Sequence, residues 1–195
     1  MKKISLYLLL FVSFMYFVPQ VYAEYVLPYP SFMPGNKIYR VSRMMDTLKN
    51  YWNWGTIAQI KYHLSLSDKY LVEAKTLFEY KQYLLAADAI TRSDAALVDI
   101  TSLIEKGMRE GKDMSVQKTI VVEAMKTHVS TIEYMKQWLP NEFQWIPEKA
   151  VATDLSIGVM LDTSIQIRNT LLNALQDTKE QYTYVGSKTA PWQKK

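Results

Sequence analysis

Few residues in this chain are equipped to make or break bonds, and their spacing narrows the field further. Cysteine is absent and histidine occurs twice, as His63 and His128. The missing cysteines exclude disulfides, thiol nucleophiles, Cys-bound zinc, iron–sulfur clusters and the acylated cysteine of a bacterial lipoprotein. A di-iron bundle needs Glu-x-x-His pairs, which set both ligands on one helical face. Glu123 and His128 are five apart instead, and no acid stands three residues before His63. No His-Glu-x-x-His, Gly-x-Ser-x-Gly or glycine-rich phosphate loop occurs. We therefore assign no catalytic residue, no cofactor and no metal ligand, and read the chain as non-enzymatic.

Three polar residues nevertheless interrupt apolar stripes at helical spacing. Asp94 falls between Ile90 and Leu97, His128 lies centrally in the stripe of Met125 and Ile132, and Arg168 falls between Ile165 and Leu172. Each should point inward, and a buried polar group needs a partner. We expect Asp94, His128 and Arg168 to form one buried structural cluster. Arg168 is the natural partner of Asp94, with His128 donating to the same carboxylate or to a backbone carbonyl. Among the aromatics, Trp54, Phe143 and Trp145 lie in turns or loops. They are candidates for stacking on a glycan or anchoring a partner, but closing the ends of a helical bundle is the preferred reading.

The elements that would position these residues are helices. Between Thr56 and Gly107, Ile57, Ile60, Leu64, Leu71, Ala74 and Phe78 line one face. Lys61, Ser65, Asp68, Lys69, Lys75 and Glu79 take the other. After a polar corner a second stripe runs through Tyr83, Ala87, Ile90, Leu97, Ile104 and Met108. The short corner predicts an antiparallel hairpin, with Ala86, Ala87 and Ala89 allowing close approach. Before it, Ile38, Val41, Met45, Leu48 and Trp52 predict an amphipathic helix, capped by Asn36 and ended at Gly55. Thr56 and Gln59 suggest a capping box.

After the hairpin, Asp113 or Ser115 could cap a helix with Val121, Met125, His128, Ile132, Met135 and Leu139 inward, closed by Pro140. Pro147 and Glu148 suit the start of a last helix ending at Gly186. The expectation is an all-α, antiparallel bundle of about five helices around a central hairpin. The helices cover 36–53, 56–80, 82–108, 113–139 and 147–186 of a single domain spanning 24–186, with a loose tail at 187–195.

The N-terminus reads as a signal peptide covering 1–23. Lys2 and Lys3 precede an apolar run, Pro19 breaks it, and Val21-Tyr22-Ala23 fits a cleavage site between Ala23 and Glu24. An uncleaved N-terminal anchor is the alternative, although the run is shorter than a comfortable membrane span. Lys2 and Lys3 supply half of the formal charge of +4, and no basic cluster remains as a footprint for nucleic acid.

Leu27-Pro28, Pro34-Gly35 and Tyr39-Arg40, followed by Leu71, Glu73-Ala74 and Ala86-Ala87 on helices, resemble a family of bacterial domains of unknown function. Its pattern runs Leu-Pro, then Pro-Gly just before Leu-Tyr, then basic residues and a Leu/Ala-rich hairpin. Here Ile38 replaces the Leu before Tyr39, and Tyr29 to Met33 separate the first two motifs. The resemblance spans Leu27 to Met108. It implies a secreted or extracytoplasmic helical domain and brings no active site with it. The function expected is binding of a protein or cell-envelope partner, with membrane contact only through an uncleaved N-terminal segment. The alternative is a small-molecule sensor or carrier with an internal pocket.

Overall fold

The computed structural model describes residues 24–31, 33–34, 38–147 and 151–188, and the side chains of these except residues 50, 51 and 177–188. The expected signal segment and its cleavage point, the Asn36 cap, Glu148 and the chain beyond 188 lie outside the described residues. Among the described residues no helix is long and apolar enough to cross a membrane.

The fold is an all-α bundle. Among the described residues six helices follow in order: α1 (Tyr39–Trp52), α2 (Thr56–Glu79), α3 (Tyr83–Leu97), α4 (Ile100–Arg109), α5 (Ser115–Lys136) and α6 (Ile157–Lys188). A two-stranded ribbon, β1 (Phe143–Trp145) and β2 (Thr153–Leu155), precedes α6.

The expected hairpin is present, and α2 and α3 run antiparallel. His63 meets Ala96, Ser67 meets Ser93, and Phe78 meets Tyr83 beside the corner. The corner is held by two reversed backbone bonds. Lys81 N–H donates to the Phe78 carbonyl and Gln82 N–H to the Leu77 carbonyl, both at 2.9 Å. That pairing closes a helix with one residue in the left-handed region, here Lys81 at φ 59°. The same device ends α4 at Gly111, where φ is 74°. Thr56 does not cap α2; its hydroxyl donates to Glu110 at 2.9 Å instead. Neither Asp113 nor Ser115 is the N-cap of α5, which is Met114 with no side-chain cap; Asp113, one residue earlier, accepts from the Ser115 N–H at 2.9 Å.

Two clusters make the core. One joins Leu71, Phe78, Ala86, Ile90, Ile132, Met135, Ile157 and Leu161 near the corner. The other joins Ile60, Leu64, Leu97, Ile100, Ile104, Val121, Met125 and Leu175 at the far end. The alanines Ala86 and Ala89 are fully buried, as close approach requires.

Four further expectations need correction. The helix expected over 82–108 is two, because α3 stops at Leu97 and α4 restarts at Ile100. Val98 and Asp99 keep right-handed helical backbone angles. The step is therefore a shift of phase, with no glycine or proline to signal it. The last helix starts at Ile157 rather than at Pro147. Thr153–Leu155 pairs antiparallel with Phe143–Trp145, Phe143 opposite Leu155. Val151 and Thr153 favour that extended state, and the Gly158 N–H donates to the Asn141 carbonyl at 3.0 Å, closing the ribbon onto α6. Gly186 does not end α6, which continues to Lys188.

The fourth correction concerns which face of α1 is buried. Val41, Met45, Leu48 and Trp52, expected inward, are 41% to 80% exposed, as is Ile38 just before the helix. The opposite, polar face docks instead, with Asp46 only 8% exposed.

Candidate functional site

The three polar residues read from helical phase do meet. Arg168 on α6 and His128 on α5 are fully buried, and Arg168 Nη1 donates to Asp94 Oδ1 on α3 at 2.6 Å. Nη1 also reaches the Ser164 hydroxyl at 2.5 Å and its carbonyl at 2.9 Å, and Nη2 donates to Ser93 Oγ at 2.9 Å. Nε donates to His128 Nδ1 at 3.3 Å. A guanidinium has donors only, so His128 Nδ1 is the acceptor and Nε2 carries the proton. That N–H points to Asp68 Oδ1 on α2, 2.6 Å away.

His128 therefore does not donate to Asp94 or to a carbonyl. Its partner is Asp68, which the sequence reading put on the solvated face. Asp68 is only 6% exposed. Its other oxygen accepts from the Tyr25 hydroxyl at 2.5 Å, so the extended N-terminal segment closes the cluster from outside. Ser67, Ser93 and Ser164, also missed, complete it: Ser93 Oγ donates to the Ser67 carbonyl at 2.9 Å, and Ser164 Oγ to Asp94 Oδ1 at 2.7 Å. A signal for Asp68 exists in the sequence. It stands four after Leu64 and three before Leu71, the spacing that singled out Asp94.

The electrostatics follow from this wiring. Burial pushes the His128 imidazolium below the usual histidine range, and the Arg168 cation beside it adds to the effect against the pull of Asp68. A second proton would land on Nδ1 and remove the acceptor that Arg168 uses. Burial likewise raises the Tyr25 phenol, with Asp68 adding to it. Neutral imidazole, its two nitrogens both engaged, has no lone pair or acidic proton to offer a substrate. The arrangement can hold four elements together; it cannot readily act as an acid or base.

A second polar junction docks α1. Lys69 on α2 pairs with Asp46 and donates to Ser42 Oγ at 3.2 Å, while the Tyr62 hydroxyl donates to the Asp46 carbonyl. Tyr39 donates to Glu73 Oε1 at 2.6 Å and accepts from Arg92 Nη1 at 2.8 Å. Glu73 is 3% exposed, and burial raises its carboxyl above the usual range despite the Tyr39 hydrogen bond. Arg92 lies over the Tyr70 ring, 5.3 Å from its centroid, and pairs with Asp88.

Beside this junction a cleft of about 440 Å³ opens between the N-terminal segment, α1 and α2, lined by Val26, Pro28, Tyr29, Lys49, Leu66 and Lys69 among others. The aromatic candidates separate. Phe143 packs on Tyr83 with ring centroids 4.4 Å apart and belongs to the core margin. Trp145 is half exposed, and Trp54 is 84% exposed, so it does not close the bundle end. Among the described residues no cluster of three or more potential metal ligands occurs.

Comparison of the chain with protein-family models, with curated proteins and with solved structures finds no match.

Proposed function

We propose that the chain is an exported helical module whose work is binding, carried by the outward surface of α1 and not by chemistry in the interior. The single observation behind this reading is the inverted orientation of α1. An amphipathic helix docked through its polar side leaves its apolar side for something else. The interior network supports the same reading from the other direction, since Arg168, His128, Asp68 and Asp94 spend their hydrogen-bonding capacity on one another. Export rests on the Lys2-Lys3, apolar, Pro19, Val-x-Ala order, and on the resemblance of Leu27–Met108 to an extracytoplasmic family. A carrier role is the second reading, favoured by the cleft between the N-terminal segment, α1 and α2.

Expression of the full chain with a C-terminal tag in a bacterial host tests both halves. The exported product should have an intact mass beginning at Glu24, and cross-linking in whole cells should give adducts at α1 that vanish when Val41 and Leu48 are serine. Full-length chain retained in the cytoplasm would overturn export. Adducts unaffected by those two substitutions would overturn the role of α1.

A further inference from the structure

The outward face of α1 combines an apolar stripe with a uniform charge. Val41, Met44, Met45, Leu48 and Trp52 are exposed along it. Arg40, Arg43 and Lys49 are the exposed charges of the same helix. On a helical projection Arg40 borders the stripe on one side and Lys49 on the other. Asp46, the helix's one acid, is turned inward and already neutralised by Lys69. The surface offered outward is therefore apolar, rimmed by cations, and free of exposed carboxylate on the helix itself.

We infer that α1 is an interfacial helix that lies on an anionic lipid bilayer, its apolar stripe entering the acyl boundary and Arg40 and Lys49, which flank it, meeting the headgroups. This names the partner of the binding reading above and rests on it. Charge complementarity selects this occupant. The chain's own apolar segment, Met1 to Ala23, carries no acid and two more lysines, so it would add cations to cations. A second copy docked through the same face would bring the flanking cations Arg40 and Lys49 together with those of its partner. A bilayer with acidic headgroups supplies both the apolar phase and the opposite charge. Trp52 at the end of the stripe suits the headgroup boundary, where an amphipathic ring is favoured. Two methionines give the stripe the flexible, polarizable side chains that fit a disordered phase.

The test uses residues 24–195, which keep every member of both hydrophobic clusters, with the fold checked by circular dichroism. Sedimentation with vesicles of phosphatidylcholine, with or without about one quarter phosphatidylglycerol, reads binding directly. The wild type should partition onto the anionic vesicles, far less onto neutral ones, and should be released by about 0.5 M NaCl. The pair Val41→Ser and Leu48→Ser should weaken partitioning about tenfold or more through lost apolar burial. Arg40→Glu with Lys49→Glu, both at the surface and harmless to the core, should weaken it at least as much. Equal binding to both vesicle types, no binding to either, or variants that bind like the wild type would overturn the inference. A wild type that is dimeric in solution and becomes monomeric in the serine variant would overturn it in favour of a second copy. Export of the full chain, with α1 cross-links to a protein and no vesicle binding, would remove the lipid and leave the binding module standing.

Discussion

The centre of the bundle and the seat of α1 are both polar junctions between helices, and they are built in opposite senses. At the centre, α2, α3, α5 and α6 bury apolar side chains around one charged residue, Arg168, whose partners surround it. At α1 the polar residues Tyr39, Ser42 and Asp46 make the contact, and the apolar residues face out. In the first case hydrophobic burial supplies the stability and the polar network fixes which helices meet. In the second, hydrogen bonds and ion pairs at a partly wet margin must do the holding. The ion pair there is less enclosed, Lys69 keeping 18% of its side chain exposed where Arg168 keeps none, and no residue of α1 belongs to either hydrophobic cluster. The difference teaches that α1 is attached more weakly than its length suggests, with its stickiest surface unspent.

The largest expected effect lies at the centre. Asp94→Ala should destabilise the fold by about 3 kcal/mol or more, since Arg168 would stay charged and buried with its carboxylate gone. Adding Arg168→Met should restore a large part of that loss. Urea unfolding of the single and double variants measures it, and additive losses would mean that the pair is not coupled.

The next effect is a pH dependence with a defined sign. His128 is held neutral in the fold, with its folded pKa below the ordinary histidine value. The unfolded chain therefore takes up a proton first as pH falls below about 6.5. Stability from this group is complete above that value and is lost as pH falls from it toward the depressed folded pKa. Between pH 7.5 and 5.5 the wild type should lose up to about 1.4 kcal/mol relative to His128→Gln, which titrates nowhere in that range. Guanidinium unfolding at the two pH values gives the difference. A slope unchanged by the substitution would place the titrating group elsewhere.

At the margin the numbers should be smaller. Asp46→Ala removes the ion pair to Lys69, yet global stability should fall by about 1 kcal/mol or less, because α1 can detach while the bundle stays folded. Leu48→Ser, on the outward stripe, should lie within about 0.5 kcal/mol of the wild type in thermal unfolding. A cost above 2 kcal/mol at Leu48 would show that the stripe is buried against this chain after all.

Much of the central region was legible because its rule is local. Stripes at three- and four-residue steps locate α2, α3 and α5, and the phase of Asp94, His128 and Arg168 brings them together. Asp68 was misassigned because it sits beside Lys69, Ser65 and Lys61, where a solvated face is the simpler reading. What covers it is not a regular element at all but Tyr25 in an extended segment far away in the chain. The same limit governs α1. Its stripe is as clear as any in the molecule, and periodicity reports correctly that one face seeks an apolar phase. It does not report whether that face is turned to the chain's own core. The break at Val98–Asp99 and the β1–β2 ribbon were hidden for different reasons. The first costs no unusual backbone angle, and the second depends on a pairing that Pro147 masks by resembling a helix start.

Native-state hydrogen exchange of residues 24–195 under increasing urea tests the contrast between centre and margin most directly. The amides of α5 around Met125–Ile132 and of α2 around Leu71 should exchange only through global unfolding, with a steep urea dependence. Those of α1 from Arg43 to Lys49 should exchange through a local opening of much lower free energy that urea hardly changes. Protection of α1 equal to that of α5, with the same urea slope, would contradict the account, because it would make α1 part of the cooperative core.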